Sequence, residues 1–411
     1  MPGFVFAQER NAMSVKDGVL MRGSSPYTVR AITVPDAAKP GTSGVDVARM
    51  LNRVAEVGGN AICFDLYGIS DDGKAIAPEG IEAMRQIRSV AEGRYMIGVC
   101  RVFGPQAPAK SRARTAAART VAEALRNDNE YLYLIEGEDA AKLARTFKRH
   151  GKGLTVVSRK YGDVLATTGC DAATGVKMII GAVPSSLDEG LHFLLPEGND
   201  SYWDLERASI DPVETQPWLP DNSSLSPEER ADGFVALFDG KSLAGWTVLG
   251  ANKQAWQARD GILERVAAGS NGLRTRDRFA NYVLRFDWNL PEGGNNGVHL
   301  RAPRAARASR IGIEFQMLGD YGAPPDKNST GSIYDVLPPT VNAGKPQGEW
   351  NTTEITLDGP HIRYVLNGIT VVDVNGDELD ELRPRLRQGF IVLTEHSHAV
   401  QYRNIRLKPL P

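Results

Sequence analysis

The hydrophobic period changes once along this chain, and that change limits the possible folds more than any other feature. Between about residues 27 and 200, apolar runs alternate with amphipathic segments. Residues 44–57 place Val45, Val47, Met50, Leu51, Val54 and Val57 at helical spacing, which predicts a helix. The segments 60–67 and 95–103 are nearly all apolar and read as buried strands, with 27–34, 131–135 and 154–158 as further strands. Helices are predicted at 78–91, 111–127 and 140–150, and further short strands at 176–180 and 191–195. Repeated βα units with strands of this kind imply a parallel sheet covered on both sides. The stretch is short for a complete eight-fold barrel of ~250 residues, so a reduced or irregular (β/α) barrel is the expectation.

After Gly233 the period becomes two. Tyr282, Leu284, Phe286, Trp288 and Leu290 fall on one face, with Arg285, Asp287 and Asn289 on the other. The segments 311–318, 353–357, 362–366 and 402–407 repeat the pattern. Turn signals separate them: Pro291-Glu292-Gly293-Gly294, Asp358-Gly359-Pro360, Asn367-Gly368 and Asn375-Gly376. The Asn-Gly pairs suit type I′ hairpins, where both central residues need positive φ. Many short alternating strands read as a two-sheet sandwich of jelly-roll type. Between the two regimes lie Pro212, Pro217, Pro220 and Pro227 among Asp, Asn and Ser. The domains expected are therefore 1–207 (α/β, barrel-like), 208–232 (a proline-rich linker without helix or central strand) and 233–411 (jelly roll).

Composition excludes some partners. Lys and Arg total 48 against 50 Asp and Glu, a net charge of -2, which offers no global attraction to nucleic acid or anionic membrane. Arg112, Arg114, Arg119 and Arg126 read as a solvated helix face. No apolar run of about 18 residues exists, so no membrane span is expected. Cys63, Cys100 and Cys170 match no metal or redox spacing and read as buried small hydrophobes. Val5-Phe6-Ala7-Gln8 is similar to the tail of a secretory signal without its basic start, which suggests an exported protein, periplasmic or extracellular.

The second half carries recognisable segments in order. They are the string from Gly233 to Trp246 (GFVALFDGKSLAGW), then Asn295-Asn296-Gly297-Val298-His299-Leu300-Arg301, Glu314-Phe315-Gln316, and Thr330-Gly331-Ser332-Ile333-Tyr334. Lys345-Pro346-Gln347-Gly348-Glu349-Trp350-Asn351, Leu366-Asn367-Gly368 and Arg403-Asn404-Ile405-Arg406 follow. This pattern resembles the 3-keto-disaccharide hydrolase domain family. The resemblance implies a concanavalin-like jelly roll and cleavage of glycosides already oxidised at C3. Two positions depart from the family: His299 stands where an aromatic is usual, and Thr394-Glu395-His396-Ser397 replaces Gln-Asp-His-Gly. The first half is only weakly similar to sugar-active (β/α) barrels, through Gly58-Gly59-Asn60-Ala61-Ile62-Cys63-Phe64.

A C3 ketone acidifies the C2 proton, and its removal lets the C1 oxygen leave by elimination, with or without rehydration. That chemistry needs a base at C2, a donor for the enolate oxygen and an acid for the leaving oxygen. Alternation puts Asn295, His299 and Arg301 on one strand face, and Glu314 and Gln316 on another. His396 or Glu314 is the expected base, with Arg301 and Lys345 as oxyanion donors. Asn295, Gln316 and Tyr334 are expected to hold sugar hydroxyls, Trp350 to stack on the ring, and His299 and Glu395 to line the substrate. Arg301 and Glu314 could instead be a cross-strand ion pair. Trp246 and Trp256 read as core. No cofactor is expected. A transition metal on His299, Glu314 and His396 is the minor alternative, without local ligand spacing to support it. In the first half, Asp65, Glu136 and Glu138 fall at predicted C-terminal strand ends, where parallel α/β folds keep their sites. The alternatives to a jelly-roll enzyme are a non-catalytic carbohydrate-binding module and a barrel glycosidase with an accessory jelly roll. The oligomeric state is not readable.

Overall fold

The computed structural model describes residues 13–16, 19–22, 25–26, 29–56, 59–158, 164–167, 178–182, 221–303, 307–396 and 398–411. The chain divides into two compact units. The predicted strand 191–195, Cys170, residues 5–8 and the linker stretch 208–220 lie outside the described residues.

The first unit is α/β. Strands Val29–Thr33, Ala61–Asp65, Ile97–Arg101, Leu132–Leu134, Thr155–Ser158, Val164–Thr167 and Met178–Ala182 pair parallel in that order. Met178–Ala182 also pairs with Val29–Thr33, so the sheet closes on itself. Helices Gly44–Glu56, Pro78–Glu92, Ser111–Ala124 and Ala140–His150 connect the first five strands. Alternation sorts the strand side chains. Val29, Ala31, Ala61, Cys63, Ile97, Val99, Leu132, Leu134 and Val157 form one buried cluster inside the ring. Phe64, Tyr131 and Tyr133 point outward, and the Tyr131 hydroxyl donates to the Met84 carbonyl of a covering helix at 2.6 Å.

The sequence pattern did not signal how the ring is filled. Strands Met13–Lys16 and Val19–Arg22 form a hairpin, and its Met13 and Leu20 join the interior cluster. The Thr155 hydroxyl donates to the Met13 carbonyl at 2.9 Å, and Met13 N donates to the Asn129 carbonyl at 2.9 Å. Met13 and Leu20 add bulk to an interior in which Ala31, Ala61 and Cys63 are small. Burial raises the Cys63 thiol to about 12, in keeping with a packing role. Arg114 is not solvated as predicted: its guanidinium makes a bidentate pair with Asp139 at 3.0 Å and lies 4.7 Å over the Phe103 ring.

The second unit is an all-β sandwich whose sheets fit a jelly roll. One sheet has the order Trp256–Arg259, Ile262–Arg265, Gln401–Pro409, Tyr282–Asn289, Asn351–Asp358, His361–Leu366, Ile369–Asn375. Val235–Ala236 pairs with its Gln401–Pro409 strand. The other sheet has the order Trp246–Gly250, Ser270–Thr275, Phe390–Leu393, Asn295–Ala302, Ile313–Leu318. Their inner faces share one core containing Trp246, Trp256, Leu284, Phe286, Trp288, Val298, Leu300, Phe315, Tyr364 and Tyr402. Asn367-Gly368 closes a two-residue hairpin with φ of 50° and 82°, as its sequence predicts. Asn375-Gly376 does not. Asn375 caps the short helix Gly376–Glu378, its side chain accepting from Asp377 N at 3.0 Å.

The expectation that 208–232 holds no helix needs correction for its described part. Pro227–Ala231 is a helix, with Pro227 in its first turn, where proline's missing N–H costs nothing. Ser226 and Glu229 form a reciprocal capping box at 3.1 Å in each direction. Leu225 packs with Phe234 and Ala236, so this segment belongs to the second unit. No helix of the described residues is long and apolar enough to cross a membrane.

Removing the Leu20 side chain would leave a void among the ring's interior residues. Leu20→Ala is expected to lower the stability of the first unit by about 2–4 kcal/mol, read as an earlier thermal transition by circular dichroism. An unchanged transition would show that the hairpin is not part of the folding core.

Candidate functional site

Val298 and Leu300 enter the sandwich core, so Asn295, Gly297 and His299 lie on the outer face of the five-stranded sheet. Ile313, Phe315 and Met317 do the same on the neighbouring strand, leaving Glu314 and Gln316 outside. Register brings the two sets together: His299 is opposite Glu314, and Gly297 opposite Gln316. His299 Nε2 stands 3.4 Å from Glu314 Oε2, within ion-pair distance. Gln316 Nε2 donates to Asn295 Oδ1 at 3.1 Å. Glu314 and Gln316 are buried although they lie on the outer face, while His299 is half-buried. A Cβ at Gly297 would lie 2.6 Å from Glu314 Oε1, so this glycine leaves the space the carboxylate occupies.

The same cross-strand row extends further. His299 is opposite Val392, and Val392 is opposite Arg274. Register partners share a face, so Arg274, Val392, His299 and Glu314 form one row, with neighbouring strands ~4.8 Å apart. The Arg274 guanidinium lies 4.6 Å over the Phe390 ring. Sequence reasoning missed Arg274. Its signal was the alternation of Ser270, Gly272 and Arg274 in a strand that was not predicted.

Other residues chosen from sequence are not in this cluster. Arg301 has φ of 50°, and the register between its strand and Phe390–Leu393 shifts after His299. This inversion breaks the alternation. The side chain is fully buried and bonds groups at strand ends of the opposite sheet: Nε donates to the Ala280 carbonyl and a terminal nitrogen to the Gly359 carbonyl, each at 2.8 Å. The other terminal nitrogen donates to Asn281 Oδ1 at 3.2 Å. Burial lowers its guanidinium to about 10. Arg301 therefore neither faces His299 nor pairs with Glu314, whose partner is His299.

Trp350 and Lys345 are tied elsewhere. The Arg403 guanidinium lies 4.1 Å from the Trp350 ring centroid, and Arg403 Nε donates to Asp287 Oδ2 at 3.1 Å. That places Trp350 on the outer face of the other sheet, away from Glu314. Lys345 Nζ donates to the Trp350 carbonyl at 3.0 Å. Glu395 fastens its loop to the Ser270 strand: it accepts from Gly269 N at 2.9 Å, from Arg265 at 3.1 Å and from the Ser270 hydroxyl. His396 is exposed on that loop. Tyr334 stays beside the cluster, its N donating to the Glu314 carbonyl at 3.0 Å, with a half-buried side chain. No group of three or more His, Cys, Asp or Glu able to hold a metal occurs among the described residues, so His299, Glu314 and His396 do not assemble.

The second unit is thus an all-β sandwich with a polar, partly buried row on one outer face. Residues 233–408 match the family model described as the 3-keto-alpha-glucoside-1,2-lyase-like domain, the family its motifs resemble. A 3-keto-disaccharide hydrolase from Bacteroides thetaiotaomicron is 24% identical over 237 residues, covering 46% of this chain and 82% of that protein. Among solved structures, a candidate glycosyl hydrolase from Parabacteroides distasonis is 22% identical with a TM-score of 0.42, over 46% of this chain and 98% of that one. A laminarinase from Flavobacterium sp. is 12% identical with a TM-score of 0.31, over 41% and 96%.

Arg301→Met would strip two backbone carbonyls and Asn281 of a buried charged donor. Roughly 3 kcal/mol of stability is expected to be lost, measured by denaturant unfolding of the second unit. A variant as stable as the parent would mean that Arg301 is not a structural clamp.

Proposed function

We propose that the second unit cleaves glycosidic bonds of 3-keto-glucosides, and that the His299–Glu314 pair moves the proton at C2. The observation that carries this reading is the buried Glu314 carboxylate 3.4 Å from His299, in a domain matching the 3-keto-alpha-glucoside-1,2-lyase-like family. The named relative, a 3-keto-disaccharide hydrolase, supports the same substrate class.

With Nε2 facing Glu314, His299 turns Nδ1 to the substrate. Nδ1 takes the C2 proton, and the C2 electron pair moves into the C3 carbonyl as an enolate. Glu314 stabilises the imidazolium, as the acidic partner of a catalytic histidine does elsewhere. The enolate re-forms the ketone as the C1–O bond breaks, and the imidazolium returns its proton to the leaving oxygen. Water adding its oxygen at C1 and its proton at C2 completes net hydrolysis; without that step the product is an enone. Arg274, two strands from His299 in the same row, is the donor we assign to the enolate oxygen in place of Arg301. Gln316, Asn295 and Tyr334 hold hydroxyls. We read the closed parallel sheet of the first unit as a reduced (β/α) barrel, and an exported location remains part of the proposal.

Glu314→Gln and His299→Ala are each expected to lower sugar release from a 3-keto-disaccharide by roughly 10²–10⁴-fold, as loss of a general base does, while His396→Ala keeps most of it. The assay is chromatographic detection of the released sugar. Full activity in Glu314→Gln, or loss confined to His396→Ala, would move the chemistry away from this face.

A further inference from the structure

Gly297 lies in a strand that is paired on both sides, with Ile313–Leu318 and with Phe390–Leu393. Glycine weakens a strand interior, so its presence there calls for a reason. Backbone conformation does not supply one. Gly272 in the same sheet has φ of 108°, but the φ of Gly297 is not in the left-handed region, and any L-residue could adopt it. What glycine supplies at this position is space. A Cβ would stand 2.6 Å from Glu314 Oε1, 3.3 Å from its Cδ and 3.2 Å from the Phe315 carbonyl oxygen.

The backbone is held where it is, so it cannot retreat to make room for a side chain. Gly297 N donates to Asn296 Oδ1 at 2.9 Å, and the Gly297 carbonyl accepts from Thr394 N at 3.0 Å. Asn296 itself is fully buried on the inner face of the sheet. Its Oδ1 also accepts from the Thr394 hydroxyl at 2.9 Å and from the Tyr402 hydroxyl, on the opposite sheet, at 3.4 Å. Its Nδ2 has no partner among the described residues. A buried amide left half-paired is less stable there than an apolar side chain of the same shape, so packing alone does not explain Asn296. Its oxygen fastens the Gly297 peptide, the Thr394 side chain and the facing sheet together. The Glu314 carboxylate, in contrast, is held by little. Among the described residues its ion-pair partner is His299, at 3.4 Å. Space rather than bonding therefore sets where this carboxylate lies.

We propose that Gly297, clamped by Asn296, is the positioning residue for the Glu314 carboxylate. This rests on the reading that the His299–Glu314 pair moves the C2 proton. Glu314 stands opposite His299 in register, yet its Oε1 leans over Gly297, two residues further along the same face. The carboxylate so laid across the strand turns Oε2 to His299. A methyl group at position 297 would occupy that place and swing the carboxylate off His299. Gly297 touches neither substrate nor reacting atoms and acts only through Glu314.

The test is Gly297→Ala in the full chain, alone and combined with Glu314→Gln or with Glu314→Asp, whose carboxylate is one methylene shorter. Turnover of a 3-keto-disaccharide by Gly297→Ala is expected to fall about 10–100-fold in kcat with KM nearly unchanged, as for a misplaced catalytic group. In the Glu314→Gln background the same change is expected to cost nothing further, because the group it displaces is already disabled. A second readout needs no activity. At one fixed pH, the imidazole nitrogen signals of His299, identified among the six histidines by their absence in His299→Ala, are expected to move in Gly297→Ala in the same direction as in Glu314→Gln. A protein that never cleaves the 3-keto-disaccharide but shows this movement would keep the positioning and overturn the reaction. Should Gly297→Ala alone fail to fold, its rescue by Glu314→Asp would locate the clash at the carboxylate and support the proposal. Parent-like turnover and His299 signals in Gly297→Ala, an equal loss in the Glu314→Gln background, or failure of Glu314→Asp to restore folding would overturn it.

Discussion

Alternation along the strands of the five-stranded sheet decides which side chains can meet on its outer face. Each core residue, from Val298 to Phe315 and Leu393, commits its sequence neighbours to the opposite side. Register then does the rest. Once His299 is paired with Glu314, the positions two and three strands away are set, and Arg274 falls into the same row. A one-residue slip would move the whole polar set into the core, so the hydrophobic pattern that holds the sandwich also holds the site. Arg301 shows the rule by breaking it. One residue of positive φ sends a guanidinium between the sheets, where it ties Ala280, Asn281 and Gly359 together.

The first unit uses the same logic in a closed sheet. Inward positions form layers, small residues leave room, and a hairpin from the start of the described chain fills it. Among the described residues, Asp65 and Arg101 pair at the C-terminal ends of neighbouring strands. In both units an apolar framework sets the register, and the register decides which polar side chains become neighbours.

Much of this was legible in the sequence, for physical reasons. Helices such as Gly44–Glu56 and Ala140–His150 show a clear apolar stripe. Strands such as Tyr282–Asn289 alternate cleanly, and the Asn367-Gly368 hairpin follows from the φ its turn needs. Short strands with glycine or polar residues were not legible: Ser270–Thr275 hid Arg274 for that reason. The Met13–Lys16 and Val19–Arg22 hairpin is too short to carry a period, and its burial depends on a ring formed far along the chain. Of the candidate site, Asn295, His299, Glu314 and Gln316 follow from alternation in two adjacent strands. Arg301 was misplaced because alternation assumes a regular backbone, and Trp350 because a string of motif residues does not say which sheet each one faces. His396 and Glu395 came from a loop, where no periodicity constrains direction.

If a proton leaves C2 on the face carrying His299 and Glu314, an isotope measurement detects it. A 3-keto-disaccharide is incubated with the protein in D₂O, and the released 3-keto sugar is examined by NMR at C2, with Glu314→Gln as the background for spontaneous exchange. Deuterium is expected at C2 in the product of the parent protein, above that background. Released sugar that keeps its C2 proton would contradict it, because the C1–O bond would then have broken without enolate formation.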